Sequence, residues 1–282
     1  MTNVAILTDS SAYLPPSLIE EYDIKVIPLV LVWGSEWLLD GVDITPDEFH
    51  RRLSEDPTLP TTTQPNPEDF LRIFDQLSKS CDGIVVPLIS SELSGTVDSA
   101  KAAASEFDRV PVSVVDSRST TMGLGFAALG AARAAAAGLS LDEVERAART
   151  AASSAKVMFV VDTLEYLHRG GRIGGASRWL GTALSIKPIL HLNEGRVDAL
   201  EQVRTKKKAV GRMLDLAAEH ASEHQVRAAV IHAGAPDEAD ALASTVERLF
   251  DCLELYVTDL SPVIANHTGP GTLGLTLCID EG

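Results

Sequence analysis

Hydroxyl and imidazole side chains beside glycines are the groups of this sequence best suited to binding a ligand. His267 and Thr268 lie between an apolar run and the segment 269–274, which contains three glycines and a proline. Glycine lets the backbone adopt positive φ angles and approach a ligand closely. No second His, Cys or carboxylate lies at ligand spacing, so the segment favours a small anionic group over a metal ion. Taken alone, it fits equally well a hairpin turn with an exposed histidine.

Four other segments are rich in serine and threonine, and three of them directly follow a predicted strand. Ligands of parallel α/β sheets bind beyond the carboxyl ends of the strands, where these three segments lie. A hydroxyl before a helix usually only caps that helix, but the common position of three such segments favours a binding site. Ser94, Gly95 and Thr96 also combine hydroxyl groups with a helix N-terminus, which attracts anions. The four segments are 8–11, 61–65, 90–96 and 116–121.

Three catalytic or cofactor-binding alternatives have weaker support. Ser94, His267 and Asp9 offer the groups of a serine hydrolase triad, but the sequence has no G-x-S-x-G nucleophile motif. His220 and His224 have helical i, i+4 spacing without the glutamate of a metalloprotease helix, so we expect no metal site. A G-x-G-x-x-A pattern begins at position 123, too far from the preceding strand, and there is no P-loop. We therefore expect no cofactor.

The alternation of short apolar runs with helical patterns in the first half is typical of a doubly wound, mostly parallel α/β sheet. The second half combines strands, a tight hairpin turn at 193–195 and two long helices, so we predict an α+β domain with antiparallel pairing. The predicted boundary near residue 155 gives an N-terminal α/β domain at 1–155 and a C-terminal α+β domain at 156–282. The predicted strands are 4–7, 26–32, 84–88, 112–115, 157–161, 188–192, 196–203, 227–232, 253–258 and 275–279, and the long helices are 205–224 and 236–250.

The composition is that of an ordinary globular protein, with 45% hydrophobic and 23% charged residues among 282. The formal net charge of −16 disfavours nonspecific binding to nucleic acid or anionic membrane. Residues 165–208 differ, because nine Lys and Arg accompany four acids there, which indicates either a solvated surface or a docking surface for a phosphate-bearing partner. The three cysteines are far apart, and no secretory signal or transmembrane run is present, so we expect a cytoplasmic protein without a disulfide framework.

Six segments, in one order along nearly the whole chain, resemble the DegV family. The resemblance implies a bacterial fatty-acid-binding protein with two α/β domains and a lipid tunnel between them. It also implies the lipid-carrying subunit of a fatty acid kinase, whose separate ATP-binding subunit converts the bound carboxylate to an acyl phosphate for phospholipid synthesis. The segments are Thr8-Asp9-Ser10-Ser11, Thr62-Thr63-Gln64-Pro65, Leu93-Ser94-Gly95-Thr96, Val115-Asp116-Ser117, 162–167 with Gly170-Gly171-Arg172-Ile173, and His267-Thr268-Gly269-Pro270-Gly271.

The resemblance also implies roles for particular residues. Thr62, Ser94 and His267 would hold the carboxylate, Gly95 and Thr96 would shape its site, and Arg172 and Arg204 would face the kinase subunit. The family motif usually reads Thr-Ser-Gln-Pro, so Thr63 departs from it, and either Thr62 or Thr63 points towards the ligand. Thr268 belongs to the same predicted ligand-binding set.

We therefore predict a carrier that binds a long-chain fatty acid and is not catalytic alone. Its expected partners are the fatty acid and the ATP-binding kinase subunit, without nucleic acid, and a transient membrane contact is compatible with a lipid ligand. Two other functions stay open, namely an acyl-ester hydrolase that uses Ser94 and His267, and a regulator that binds a small phosphate ligand.

Overall fold

The computed structural model describes residues 3–56, 58–181 and 186–279 of the chain. Its strands are β1 (Val4–Asp9), β2 (Lys25–Ile27), β3 (Val30–Trp33), β4 (Glu36–Leu39), β5 (Thr61–Thr63), β6 (Gly83–Leu88), β7 (Val112–Asp116), β8 (Ala155–Val160), β9 (Lys187–Asn193), β10 (Arg196–Val203), β11 (Val226–His232), β12 (Cys252–Asp259) and β13 (Leu273–Ile279). Its α-helices are α1 (Pro16–Glu21), α2 (Pro46–Glu55), α3 (Pro67–Leu77), α4 (Thr96–Glu106), α5 (Thr121–Ala136), α6 (Leu141–Ser154), α7 (Glu165–Arg169), α8 (Lys206–Ala221), α9 (Pro236–Leu249) and α10 (Pro262–Thr268).

A parallel sheet in the order β2-β1-β6-β7 forms the first layer and confirms the predicted α/β architecture. Helices α5 and α6 pack on one face, and α3 and α4 pack on the other. The central strand β6 is buried along its whole length, because both of its faces are covered. The carboxyl ends of β1, β6 and β7 lie side by side, and three of the hydroxyl-rich segments begin there.

A six-stranded sheet in the order β10-β9-β8-β13-β11-β12 forms the second layer. Its pairings are antiparallel except for β11 with β12, which run parallel. Helices α8 and α9 cover one face, and α5 packs on the opposite face, so that α5 lies between the two sheets. A Cβ atom at Gly123 of α5 would lie 2.7 Å from Cγ2 of Val157, so glycine permits this close approach. The predicted hairpin joins β9 to β10 through Glu194 and Gly195, both with positive φ.

The prediction of one strand over residues 26–32 was wrong. The chain divides at Pro28, so that β2 joins the parallel sheet and β3 begins a separate antiparallel sheet in the order β4-β3-β5. Proline has no N–H group to donate, which interrupts the ladder. Strand β5 is absent from the predicted strands, and its pairing with β3 places Thr62 opposite Leu31.

The predicted domain boundary lies where α6 ends at Ser154 and β8 begins at Ala155. The division into two domains stays a prediction, since α10, near the C-terminus, packs against α2 and β3 of the N-terminal half. Within the described residues, no helix is long and apolar enough to cross a membrane. The same residues contain no group of His, Cys, Asp and Glu side chains placed to hold a metal ion.

Candidate ligand-binding site

An apolar cavity lies where the three-stranded sheet, the carboxyl edge of the parallel sheet, the six-stranded sheet and α10 meet. Its empty volume is about 780 Å³, a value that includes open solvent at the mouth of the cavity. A wall of this kind favours a ligand with a largely apolar body. Aliphatic and aromatic side chains form most of it, among them Leu29, Ile89, Phe159, Leu192, Ile231 and Val263.

His267 lies in the last turn of α10, and not in the glycine-rich turn that follows, where the sequence had suggested a hairpin. Helix α10 begins after Ser261, whose hydroxyl oxygen accepts a hydrogen bond from the Ile264 N–H at 3.3 Å. It ends before Gly269, which has a φ of 82°. A Cβ atom at Gly269 would also overlap the ring of Tyr166, so only glycine fits between α10 and α7. The short helix therefore holds the imidazole at the cavity wall.

The side chains of Thr62 and His267 form a hydrogen bond between β5 and α10, with 2.8 Å between Oγ1 and Nε2. Burial, and to a lesser extent the nearby positive charge of Arg172, lower the pKa of His267 to about 4. The imidazole is therefore neutral at pH 7, with one N–H donor and one acceptor nitrogen. Among the described residues, its Nδ1 atom is buried without a hydrogen-bond partner.

Arg172 connects two segments of the same wall. Its Nη1 donates a hydrogen bond to the carbonyl of Gly170 at 2.7 Å, and its Nε donates to the carbonyl of Leu93 at 3.1 Å. Gly170 packs directly against the imidazole, because a Cβ atom there would overlap Nδ1 of His267. The guanidinium is partly buried and lines the cavity, which places a positive charge on the wall that also contains Thr62 and His267.

Ser94 lines the cavity from the segment between β6 and α4. Its hydroxyl lies 2.8 Å from the hydroxyl of Thr96, the first residue of α4. A Cβ atom at Gly95 would lie 2.9 Å from Nε2 of Gln64, so glycine allows the segment after β5 to approach the N-terminus of α4. Neither Gly95 nor Thr96 lines the cavity, and both directly follow Ser94 in the sequence.

The structure brings most of the predicted ligand-binding residues together. Thr62, Thr63, Ser94, His267 and Thr268 all line the cavity, although they come from three distant parts of the chain. Both threonines of the departing motif lie at the wall, and Thr62 is the one that contacts His267. Whether these residues hold a ligand stays a prediction.

The two residues predicted to face a partner lie in different environments. Arg172 lines the cavity and also reaches the molecular surface. Arg204 is exposed between β10 and α8 and does not line the cavity. Five basic side chains of segment 165–208 form ion pairs with acids. Within the described part of the chain, Arg204, Lys207 and Lys208 keep side chains without an ion-pair partner.

Sequence reasoning did not single out several polar residues of the cavity individually. Thr120 and Thr121 come from the hydroxyl-rich segment after β7, so the strand-end pattern identified the segment but not these two side chains. Gln64 belongs to the motif around Thr62, and Thr272 follows the glycine-rich turn without a signal of its own.

A second, more polar groove adjoins the cavity on its outer side. The groove and the cavity share Thr62, Arg172 and His267 as common lining residues. The polar wall of the cavity is therefore also one side of a groove on the molecular surface. The groove is lined in addition by Leu59, Pro60, Thr61, Tyr166, Arg169, Gly170 and Asn266.

The groups considered for a hydrolase triad are not assembled. Asp9 is buried and accepts hydrogen bonds from the Ser11 hydroxyl and the Ile89 N–H, while Ser94 contacts Thr96. His267 contacts Thr62, and its second nitrogen has no carboxylate partner among the described residues. Such catalysis requires a nucleophile that is hydrogen-bonded to a base and an acid that orients this base. Ser94, His267 and Asp9 do not form this arrangement.

Comparison with known proteins places these features in a family. The DegV family model, described as one of uncharacterised proteins, matches residues 3–280. A DegV domain-containing protein of Streptomyces coelicolor is 44% identical over 277 residues, which cover 98% of each chain. A DegV family protein of Thermus thermophilus, solved for its fatty acid binding, has a TM-score of 0.93 and 38% identity, covering 99% of this chain and 100% of that one. The DegV protein of Bacillus subtilis, a fatty acid binding protein, has a TM-score of 0.92 and 34% identity over 99% and 100% of the two chains.

Proposed function

Because the chain belongs to the DegV family, we propose that it binds a long-chain fatty acid in the apolar cavity. The carboxylate lies at the polar wall formed by Thr62, Ser94 and His267, and the acyl chain lies along the apolar wall. The observation that supports this most is the hydrogen bond between Thr62 and His267 at the edge of a cavity that is otherwise mainly apolar. The solved structures of relatives that bind fatty acids support the same ligand class.

A carboxylate that leaves water needs several hydrogen-bond donors, because unpaired burial of charge is very costly. The hydrogen bond between Thr62 and His267 uses one of the two protons of this pair, so the pair donates one hydrogen bond to the carboxylate. The hydroxyl of Ser94 donates another while it accepts from the hydroxyl of Thr96. Arg172 adds a positive charge at the same wall. Hydrogen bonds to a charged group contribute about 1.5–3 kcal/mol each, so two such bonds and the charge of Arg172 together oppose the cost of removing one carboxylate from water.

The acyl chain supplies most of the affinity. Burial of a methylene contributes about 0.8 kcal/mol, so fifteen methylenes give roughly 12 kcal/mol before the entropic cost of binding. The protein is therefore expected to retain its ligand through purification.

The finer proposal is that the chain presents this carboxylate to a separate ATP-dependent kinase subunit. In that reaction a carboxylate oxygen bonds to the γ-phosphorus of ATP, the bond from that phosphorus to the bridging oxygen breaks, and ADP leaves. The outer groove supports the proposal, because it reaches the wall shared by Thr62, Arg172 and His267 from the surface. Arg169 and Arg172 line this groove and carry charge that suits a phosphate-bearing partner.

Several companion proposals follow from this role. The chain acts in the cytoplasm, needs no cofactor of its own, and consists of an N-terminal domain at 1–155 and a C-terminal domain at 156–282. Arg172 and the exposed Arg204 contact the kinase subunit. Interface variants at Arg204 test the last point, because R204A should lower acyl phosphate formation and leave fatty acid binding unchanged.

Mass spectrometry of lipid extracted from the purified, denatured protein is the direct test. We expect about one free fatty acid per chain, and T62V should retain less of it than the wild type. T61V is the matched control, because Thr61 lines the outer groove and not the cavity. A wild-type protein that is empty and stays empty after incubation with oleic acid contradicts fatty acid binding.

The kinase proposal needs a second assay. The oleate-loaded chain is incubated with ATP, with and without the ATP-binding subunit of a bacterial fatty acid kinase, and acyl phosphate is trapped with hydroxylamine. Acyl hydroxamate should form only when both proteins are present. Product formed by this chain and ATP alone, or hydrolysis of acyl esters lost in S94A, contradicts a non-catalytic carrier.

A further inference from the structure

Two threonines at the start of α5 also line the cavity, and they come from a different element from Thr62, Ser94 and His267. Thr120 and Thr121 both line the cavity, and their exposed fractions are 8% and 4%. Their hydroxyl oxygens are buried and have no hydrogen-bond partner among the described residues. A buried hydroxyl without a partner costs free energy, so two neighbouring ones at a ligand cavity indicate hydrogen bonds made to a ligand.

The local backbone does not use these hydroxyls. Thr120 is the N-cap residue of α5, where a threonine normally accepts from the second or third N–H of the helix, but its side chain makes no such bond. Thr121 has a φ of 52°, a left-handed conformation that is costly for a β-branched residue. Backbone strain of this kind persists where the surrounding structure fixes a side chain for function.

Other cavity threonines provide the contrast. Thr268 donates its hydroxyl to the carbonyl of Ile264 at 3.4 Å, and Thr272 donates to the carbonyl of Gly269 at 2.8 Å. Threonine at the wall of this cavity is therefore able to satisfy its own hydroxyl from the protein. Thr120 and Thr121 differ because their hydroxyls are left for a partner from within the cavity.

The chemistry around the pair selects a neutral partner. Among the described residues that line the cavity, Arg172 is the one charged side chain, and its guanidinium is bonded to the carbonyls of Leu93 and Gly170. Val157 of β8, an apolar residue of the cavity wall, lies next to Gly123 in the first turn of α5. A second carboxylate would lie there without a cation, whereas an uncharged hydroxyl both donates to and accepts from threonine.

We propose that Thr120 and Thr121 bind an oxygen substituent on the acyl chain, so that the ligand class favoured by this cavity is a hydroxy fatty acid. This inference rests on the proposed binding of fatty acid, since it requires the carboxylate at the His267 wall and the chain along the cavity. The position of the preferred hydroxyl along the chain is set by the distance from the His267 wall to the two threonines.

The test compares positional isomers, which share their composition and the cost of removing one hydroxyl from water. The full chain is stripped of lipid and titrated with stearic acid and with monohydroxystearic acids whose hydroxyl stands at successive carbons. We expect one position, or two adjacent ones, to bind about three- to tenfold more tightly than the other isomers, the gain from one well-placed hydrogen bond. T120V and T121V together should flatten the series, and T120S with T121S should restore the preferred position.

T272V is the matched control, since it makes the same substitution at a cavity threonine whose hydroxyl is already bonded within the protein. It should keep the preferred position, whatever its overall affinity. A wild-type series without a maximum, or a maximum that survives in the T120V/T121V variant, overturns the inference even if stearic acid binds well. Failure of stearic acid and every isomer to bind contradicts the proposed function itself, so the two failures are distinguishable.

Discussion

A methyl group added at Gly170 should displace the imidazole of His267. The backbone of Gly170 has φ −73° and ψ −7°, which alanine adopts without strain, so the effect of G170A comes from contact alone. Its Cβ atom would lie 2.0 Å from Nδ1 and 2.8 Å from Cε1 of His267. Since ordinary contacts of a Cβ atom begin at 3.4 Å, the ring must move by about 3.4 − 2.0 = 1.4 Å.

That movement removes the hydrogen bond between Thr62 and His267. The two atoms lie 2.8 Å apart, and a shift of this size takes them beyond hydrogen-bond range or turns the ring out of line. A hydrogen bond to a charged group contributes about 1.5–3 kcal/mol, so loss of the imidazole from the carboxylate should weaken fatty acid binding by about 10- to 100-fold.

Titration of the lipid-free protein with oleic acid measures the effect. G211A is the control, because Gly211 lies within α8 and a Cβ atom there meets nothing within 4 Å. It should keep wild-type affinity and raise the free energy of unfolding by about 1 kcal/mol through helix propensity. The double-mutant cycle is decisive: in an H267A background the methyl at position 170 meets no ring, so G170A should cost nothing more. Equal losses in both backgrounds would refute the reasoning.

Three further predictions concern pH and cavity size. Burial raises the pKa of Asp40 from 3.8 to about 7, so between these pH values the native state keeps a proton that the unfolded state releases. Relative to D40N, the wild type should therefore lose about 4 kcal/mol of stability as the pH rises from about 4 to above 7. Urea unfolding of both proteins across this range measures the loss, and an equal pH dependence of the two stabilities would contradict it. Burial lowers the pKa of His267 from 6.5 to about 4, so below pH 6.5 the unfolded state binds a proton that the native state lacks. Relative to H267Q, the wild type should therefore lose about 3 kcal/mol of stability as the pH falls to about 4. The same urea-unfolding series measures this loss. V157F enlarges a side chain of the cavity wall and should displace two methylenes of the acyl chain. The affinity for a long fatty acid should fall about tenfold, and the affinity for an acid shorter by two carbons should not change. An equal loss of affinity for both acids would show a general packing defect instead.

The two large sheets could be predicted because their signals are local. All six residues of β6 are buried, and the run of apolar side chains bounded by polar segments is visible without knowledge of its neighbours. The three-stranded sheet had no such signal. Strand β5 is three threonines, and β4 leaves Trp37 69% exposed, so neither shows the alternation of a half-buried strand. Their pairing is decided by β3, which lies between them.

The candidate site was predictable in its residues but not in its geometry. Motifs identified Thr62, Ser94 and His267, and the cavity contains all three. The orientation of Arg172 depends on the carbonyl of Leu93, 79 residues away in sequence, and no local pattern encodes that contact. The environment of the Thr120 and Thr121 hydroxyls could not be predicted for a similar reason. A threonine before a helix gives the same sequence pattern whether its side chain caps the helix or faces a cavity.

The neutral state of His267 links the architecture of the cavity to the proposed reaction. Apolar burial and the charge of Arg172 both disfavour the imidazolium, so the wall contains one fixed positive charge instead of two. Two cations beside a carboxylate would bind it more tightly, but they would also withdraw charge from the oxygen that must attack phosphorus. A neutral imidazole with hydroxyl donors orients the carboxylate by hydrogen bonds and leaves its oxygen more nucleophilic. In the proposed carrier, the burial that provides a place for the acyl chain therefore also keeps the bound carboxylate reactive.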